Sequence, residues 1–280
     1  MASSGKSHPL RFGIITDIHF SAENEPAAAA KTAADLSACL ECWQRNKVDF
    51  LMQLGDQIMG SDRHKEEEFR QVSSILNTFP GTIYHVLGNH CLALTRQELM
   101  TAFGLQTPFY AFTIRGFRFI VLDGMDVSAL RIPETSEDCQ TLAFFRARPE
   151  LHDYCGAVGV QQQSWLKREL EEAKSAGERV IVVCHFPLLP ETTDPKHGLL
   201  WNHREIAELL ASSPAVKACL SGHYHYGGYA LHKGIHFVVL PAFVNRHEHP
   251  DFTCGTVELL EERMVIRNQH HEMLYDLTFH

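Results

Sequence analysis

No stretch of this chain is long and apolar enough to span a bilayer, and Met1 to His8 is short and polar, so neither a membrane anchor nor a secretory leader is predicted. A basic excess is also missing. Twenty-five Lys and Arg face 34 Asp and Glu, a formal charge of -9, which argues against a broad nucleic-acid or anionic-membrane surface. A small phosphate-bearing substrate stays open, because bound metal ions can supply positive charge locally. The eight cysteines show no paired framework. Cys184 and Cys219 sit inside apolar runs, as reduced buried thiols do, and Cys39-x-x-Cys42 has no second pair to complete a zinc site. A reducing, cytoplasmic setting is the expectation. There is no low-complexity block either: 45% of residues are hydrophobic and 21% charged, the balance of an ordinary globular protein. A chain of 280 residues can bury roughly 75% of its extended surface, and it reads as one domain over 1–280.

What is present is a repeated unit. Leu10 to Thr16 is a short, nearly uncharged, β-branched run ending in Asp17-Ile18-His19. If that backbone stays extended, Asp17 and His19 share a face. Ala27 to Lys47 carries apolar residues at helical spacing. Val48 to Leu54 is a second strand, stopped by Gly55-Asp56. Glu66 to Phe79 is helical again, and Thr82 to Leu87 is a third strand, stopped by Gly88-Asn89-His90. Strands alternating with helices predict a parallel sheet, and in such sheets ligands bind beyond the carboxyl ends of the strands. The three polar clusters therefore fall on one rim.

Phe109–Ile114 and Phe117–Leu122 read as a hairpin, followed by an irregular excursion at about 124–159, where periodicity is poor. A helix over Val160–Lys174 leads to a strong strand, Arg179–Cys184, that ends in His185. A helix near 203–211 precedes the apolar run Ala215–Leu220, which ends in Ser221-Gly222-His223-Tyr224-His225. Short strands at 229–232, 235–240, 254–260 and 263–268 lack intervening helices and predict a second, largely antiparallel sheet. Asn245 to Pro250, placed between late strands, could hang over the strand-end clusters as a further site contribution, but it reads better as an exposed polar loop.

The strand-end residues Asp17, His19, Asp56, Asn89, His90, His185, His223 and His225 form one chemical set. Singly, each has an ordinary use, as a helix cap, a turn residue or a satisfied core histidine. Five such clusters at the ends of five apolar runs are a pattern. Carboxylate, imidazole and amide donors without thiolate suit Mn, Fe, Zn or Mg. The donors outnumber one site, and a carboxylate such as Asp56 can bridge two ions; water held there loses a proton near neutral pH.

In order, Asp17-x-His19, Gly55-Asp56, Gly88-Asn89-His90, His185 and Gly222-His223-x-His225 resemble the five-block signature of the calcineurin-like metallophosphoesterase superfamily. The resemblance implies an α/β sandwich: two mixed β-sheets packed face to face and flanked by helices. It implies that Asp17, His19 and His225 hold one divalent ion, that Asn89, His185 and His223 hold the other, and that Asp56 bridges them. His90 would lie beside the substrate, stabilising phosphoryl oxygens or protonating the leaving group.

Leu122-Asp-Gly-Met-Asp-Val-Ser-Ala-Leu130, Leu200-Trp-Asn-His-Arg204, Gly227-Gly228-Tyr229 and Cys254-Gly-Thr-Val-Glu258 are similar to segments of manganese-dependent ADP-ribose/CDP-alcohol diphosphatases. That branch implies hydrolysis of the pyrophosphate bond of a nucleoside-diphosphate-linked small molecule with two Mn ions. Phe20, Trp201 and Tyr229 are candidate aromatic faces for its base or sugar, with core packing as the competing use. A cyclic-nucleotide or glycerophosphodiester phosphodiesterase would use the same centre. A non-catalytic binding scaffold is the rival of a different kind, and loss of ligands would mark it. Two departures stand out. Cys91 replaces the usual acidic residue after Gly-Asn-His, and Gln57-Ile58-Met59 lacks the second Asp common after Gly-Asp.

Overall fold

A computed structural model describes residues 8–23, 26–148, 151–194 and 198–280. Three strand-helix units open the chain: β1 (Leu10–Ile15) with α1 (Pro26–Arg45), β2 (Phe50–Gln53) with α2 (Lys65–Leu76), and β3 (Ile83–His85) with α3 (Arg96–Phe103). The hairpin β4 (Tyr110–Ile114) and β5 (Phe117–Leu122) leads into β6 (Val127–Ser128), α4 (Ser136–Arg146) and β7 (Gly156–Ala157). Then come α5 (Val160–Ala176), β8 (Arg179–Cys184), α6 (His203–Ala211) and β9 (Val216–Ser221). The last strands are β10 (Gly228–His232), β11 (Ile235–Val239), β12 (Gly255–Leu260), β13 (Arg263–Arg267) and β14 (Met273–Thr278).

Among the described residues these strands build two six-stranded mixed sheets, ordered β14-β13-β12-β1-β2-β3 and β10-β11-β9-β8-β5-β4. The β1–β2–β3 run is parallel, as the alternation predicts, and so is β5–β8–β9. The late strands do not form a sheet of their own. β10 and β11 extend one sheet beside β9, while β12 pairs antiparallel with β1 and carries β13 and β14 onto the other. Both sheets had an edge open to them, and period-two alternation cannot say which edge a strand joins.

Alternation along the strands sets the layers. Leu10, Phe12 and Ile14 of β1 meet Phe117, Phe119 and Val121 of β5 and Ile181 and Val183 of β8 between the sheets. Phe12 stacks on Phe50 with centroids 4.9 Å apart and meets Phe119 edge-on at 5.6 Å. Each such buried side chain contributes about 1.5–3 kcal/mol. The opposite faces are covered by α1 and α2 on one side, through Leu36, Leu40, Trp43, Val72 and Leu76. On the other side α5 and α6 pack through Leu166, Leu170, Ile206 and Leu210 against Ile120, Val180 and Val182. The result is helix, sheet, sheet, helix.

The excursion after Leu122 is more ordered than its sequence predicts. It holds a full helix, α4, and a two-stranded ladder, β6–β7. No residue of α4 is fully buried, so it has no apolar stripe to reveal it. Arg96 pairs with buried Asp123 and reaches the Met125 carbonyl at 3.1 Å, anchoring the start of the excursion.

Candidate metal centre

β1, β2 and β3 deliver Asp17, His19, Asp56, Asn89 and His90 to one end of their sheet, and β8 and β9 deliver His185, His223 and His225 to the same end of the other. All eight converge. Asp17, His19 and His225 place donor atoms within 4.8 Å of one another, as do Asp56, His185 and His223, and His19, Asp56 and His90 link the two groups. His19, Asp56, Asn89, His90, His223 and His225 line one cleft of about 220 Å³. A larger hollow of about 480 Å³ between α1 and the 246–254 segment contains none of them.

The backbone delivers these side chains by a route that alternation does not anticipate. Asp17, His19, Asp56 and His223 adopt left-handed backbone, with φ of 50°, 45°, 53° and 66°. Asp17 and His19 are therefore aimed together by two left-handed turns and not by an extended strand. Non-glycine residues pay roughly 1–2 kcal/mol each for this conformation, so the surroundings have to impose it. Here main-chain bonds do so: Asp17 N–H donates to the Gly55 carbonyl (3.1 Å), His19 N–H to Asp56 (3.0 Å), and Val244 N–H to Asp17 (3.0 Å). Close approach does the rest. A Cβ on Gly88 would collide with Asp56 Oδ1, and one on Gly222 with Thr16 Oγ1 and Asp17 Oδ2.

Charge in the cleft is tightly set. Asp56 Oδ2 lies 3.2 Å from His185 Nε2 and 3.8 Å from His19 Nε2; Asp17 Oδ1 is 3.6 Å from both His19 Nε2 and His225 Nε2. Burial would raise both carboxyls, yet the imidazoles, His185 foremost, reverse it and hold both below the usual range. His185 is pushed up to about 9: burial lowers it, but Asp56, Asp17 and the Leu54 carbonyl (2.8 Å from Nδ1) prevail. Even so, Asp17 Oδ1, His19 Nδ1 and Nε2 and Asn89 Oδ1 are buried with no hydrogen-bond partner, and His185 Nε2 meets only the Asp56 carboxylate. Orphaned buried donor atoms are costly, and here oxygen and nitrogen lone pairs point inward together. The residues present fit divalent cations.

A pH dependence follows. A histidine raised in the folded, metal-free protein stabilises it fully below its ordinary value near 6.5, and that contribution is lost as pH rises through about 9. An ion taken up at His185 must displace the same proton, so its binding strengthens over the same interval. The melting-temperature gap between Mn-loaded and metal-free protein is expected to widen from pH 6.5 to 9 and then level off. Thermal melts at a fixed Mn excess measure it, and a gap that narrows with pH would contradict ion binding at His185.

The model of the calcineurin-like phosphoesterase family matches residues 10–227, every donor included. The chain belongs to the calcineurin-like phosphoesterase family. It is 30% identical to the manganese-dependent ADP-ribose/CDP-alcohol diphosphatase of Arabidopsis thaliana over 279 residues, covering 86% of this chain and 88% of that one. It is 27% identical to the protein of the same name from Oryza sativa subsp. japonica, over 94% and 92% of the two chains. Among solved structures, a dimetal phosphatase from Danio rerio superimposes with a TM-score of 0.84 at 25% identity, covering 97% of this chain and all of that one.

The aromatic candidates of this calcineurin-like phosphoesterase do not line the cleft. Phe20 is buried among Ile18, Ile58 and α1, because its strand-like pairing with Ile58 turns it into the core. Trp201 is nearly buried, its ring stacked on Phe145 (5.5 Å) and its Nε1–H donating to the His152 carbonyl (3.2 Å). Tyr229 stands on the edge strand β10 against His236 and Tyr275. The cleft aromatic is instead Tyr154, from the excursion, whose ring stacks on His152 (4.8 Å) and sits 5.7 Å from that of His223. No periodic signal marks it.

One further expectation changes, and one departure is explained. Asn245 to Pro250 is not exposed throughout: Val244 N–H donates to the Asp17 carbonyl (3.0 Å), Asn245 lies beside His225, and Arg246 is buried on Asp35 (2.8 Å) and Thr32 (3.0 Å). Cys91 is buried in the α1–α2 layer and its thiol is pushed up to about 12 by burial and by the Asp56 charge, so it stays protonated. His90 is oriented without it. Its main-chain N–H donates to Asp56 Oδ1 (2.9 Å) and its Nδ1 bonds the Met59 carbonyl (2.7 Å).

Proposed function

We propose that this chain is a two-metal hydrolase that cleaves the pyrophosphate bond of nucleoside-diphosphate-linked small molecules of the ADP-ribose or CDP-alcohol kind. The observation that carries this reading is the convergence of eight strand-end donors on one cleft, with buried lone pairs left unpartnered. Asp17, His19 and His225 would hold one ion, Asn89, His185 and His223 would hold the other, and Asp56 would serve both. Manganese is favoured, with Fe, Zn or Mg as competitors, because the donors are nitrogen and oxygen and relatives are named manganese-dependent. When bound, such ions polarise phosphoryl oxygens and make water a nucleophile at neutral pH. The protein's own part is orientation. Asp56 and Asp17 fix the imidazoles, His90 presents its remaining ring nitrogen to the leaving oxygen or a phosphoryl oxygen, and Tyr154 walls the cleft.

The chain works as one domain, since both ion groups draw on both sheets. Among the described residues no helix is long and apolar enough to cross a membrane, and all eight cysteines carry free thiols. With the net charge of -9, this supports a cytoplasmic enzyme acting on a small substrate, with no nucleic acid or membrane as partner.

The test is a Mn-supplemented hydrolysis panel of ADP-ribose, CDP-choline, cyclic nucleotides and glycerophosphocholine. ADP-ribose or CDP-choline is expected to exceed the others by about tenfold or more in kcat/KM. Preference for cyclic nucleotides or glycerophosphocholine would overturn the substrate class. A chain that hydrolyses none of them and carries no metal after chelator-free purification would be the non-catalytic scaffold.

A further inference from the structure

We propose that Glu68 is a positioning residue for His90, acting through the peptide group that joins Met59 to Gly60. The inference rests on the reading that His90 serves the reaction.

Glu68 lies in the first turn of α2 and is fully buried. Among the described residues no Lys, Arg or His pairs with it within ion-pair distance. Its Oε1 accepts the Ala22 N–H (3.1 Å) and the Ser61 hydroxyl (3.3 Å), and its Oε2 accepts the Gly60 N–H (2.9 Å). A buried carboxylate held only by neutral donors is expensive, so its place calls for a reason. The donors supply one. Ala22 closes the segment that carries Asp17 and His19, and Gly60 closes the segment that carries Asp56, so one carboxylate ties the two together.

The decisive detail is the far side of the Gly60 amide. Gly60 N–H and the Met59 carbonyl belong to one peptide group, and that carbonyl accepts the His90 Nδ1–H at 2.7 Å. An amide whose N–H is bonded to a carboxylate becomes a better acceptor at its oxygen, because hydrogen bonds in a chain polarise one another. The negative charge of Glu68 is thereby felt at His90, although among the described residues no carboxylate lies within ion-pair distance of that ring. Gln57-Ile58-Met59 offers none in this segment. The geometry requires glycine at 60: its φ is +78°, and a Cβ there would press on Ala93 Cβ and the His90 carbonyl. With Nδ1 committed to Met59, Nε2 is the nitrogen left for the cleft that His90 lines.

The test combines tautomer and coupling. In metal-free and Mg-loaded protein, long-range proton–nitrogen spectra, with His90 assigned from its loss in His90→Ala, should show the Nδ1–H tautomer. In Glu68→Gln, whose amide nitrogen cannot accept from a main-chain N–H, the Met59 carbonyl becomes a weaker acceptor and the His90 Nδ1–H signal should move upfield. Kinetically, Glu68→Gln should lower kcat about tenfold with KM within about twofold, and in the His90→Ala background it should cost less than about twofold more. Losses that add in the double variant, or an unchanged His90 spectrum, would show that Glu68 only braces the loops. Should Glu68→Gln not fold, an Nε2–H tautomer in the wild-type protein still overturns the proposal. Because the tautomer is read without turnover, failure of the hydrolase reading is distinguishable from failure of this one.

Discussion

Asp56→Asn is expected to remove Mn-dependent hydrolysis by roughly a thousandfold or more, the scale on which one member of a cooperating catalytic unit acts. The side chains have nearly the same shape, so packing against Gly88 is kept and the loss is chemical. Asp56 Oδ1 accepts the His90 N–H, and Oδ2 stands 3.2 Å from His185 and 3.8 Å from His19. An amide supplies one acceptor where two are used, and its hydrogens point at groups that need an electron pair. Both ion groups also lose a shared negative charge, so bound metal, measured by mass spectrometry, should fall from two per chain to one or fewer. The metal-free variant should melt lower as well, because breaking a buried carboxylate–imidazole pair costs about 3–5 kcal/mol. Near-normal turnover with two ions retained would show that Asp56 does not bridge.

The second large effect is steric. Gly222→Ala places a methyl group into Thr16 Oγ1 and Asp17 Oδ2. Neither can retreat: Asp17 is buried, and its Oδ2 also accepts the His223 N–H at 2.9 Å. Overpacking of this kind costs about 3 kcal/mol, a drop of roughly 5 °C in Tm for a chain of this size. Activity should suffer more than stability, because the methyl parts Asp17 from His223 and so disturbs both groups of donors. Full activity in a variant that merely melts earlier would show that Asp17 is not held by this contact.

Much of this was legible because the clusters punctuate short apolar runs. β8 spans Arg179–Cys184, as its apolar run predicts, and His185 follows it; α6 at His203–Ala211 also lies where it is expected. What failed was whatever lacks a periodic trace. α4 exposes all its faces in part, so nothing in its pattern separates it from loop. The strands from 228 onward alternate properly, yet their split between two sheets depends on which edges β9 and β1 leave free. Left-handed turns at Asp17 and His19 are tertiary impositions: Asp and His visit that region more often than most non-glycine residues, but too rarely for the sequence to mark these two. Glu68 stands in Lys65-Glu-Glu-Glu, where an acid in a first helical turn already has an ordinary use against the helix dipole. Tyr154 belongs to a segment whose direction only its packing on His152 reveals. The Tyr154 wall of the cleft was therefore the least legible part, and the strand-end clusters the most.

The division of donors between the sheets has one more consequence. Asp17 and His19 come from one sheet and their companion His225 from the other; Asp56 comes from the first and His185 and His223 from the second. Neither leaf of the sandwich owns either of these two groups whole. An ion held by either group would be a rivet across the seam: it would be seated only after both leaves had closed, and once seated it would resist their parting. The centre would then double as the clasp of the fold.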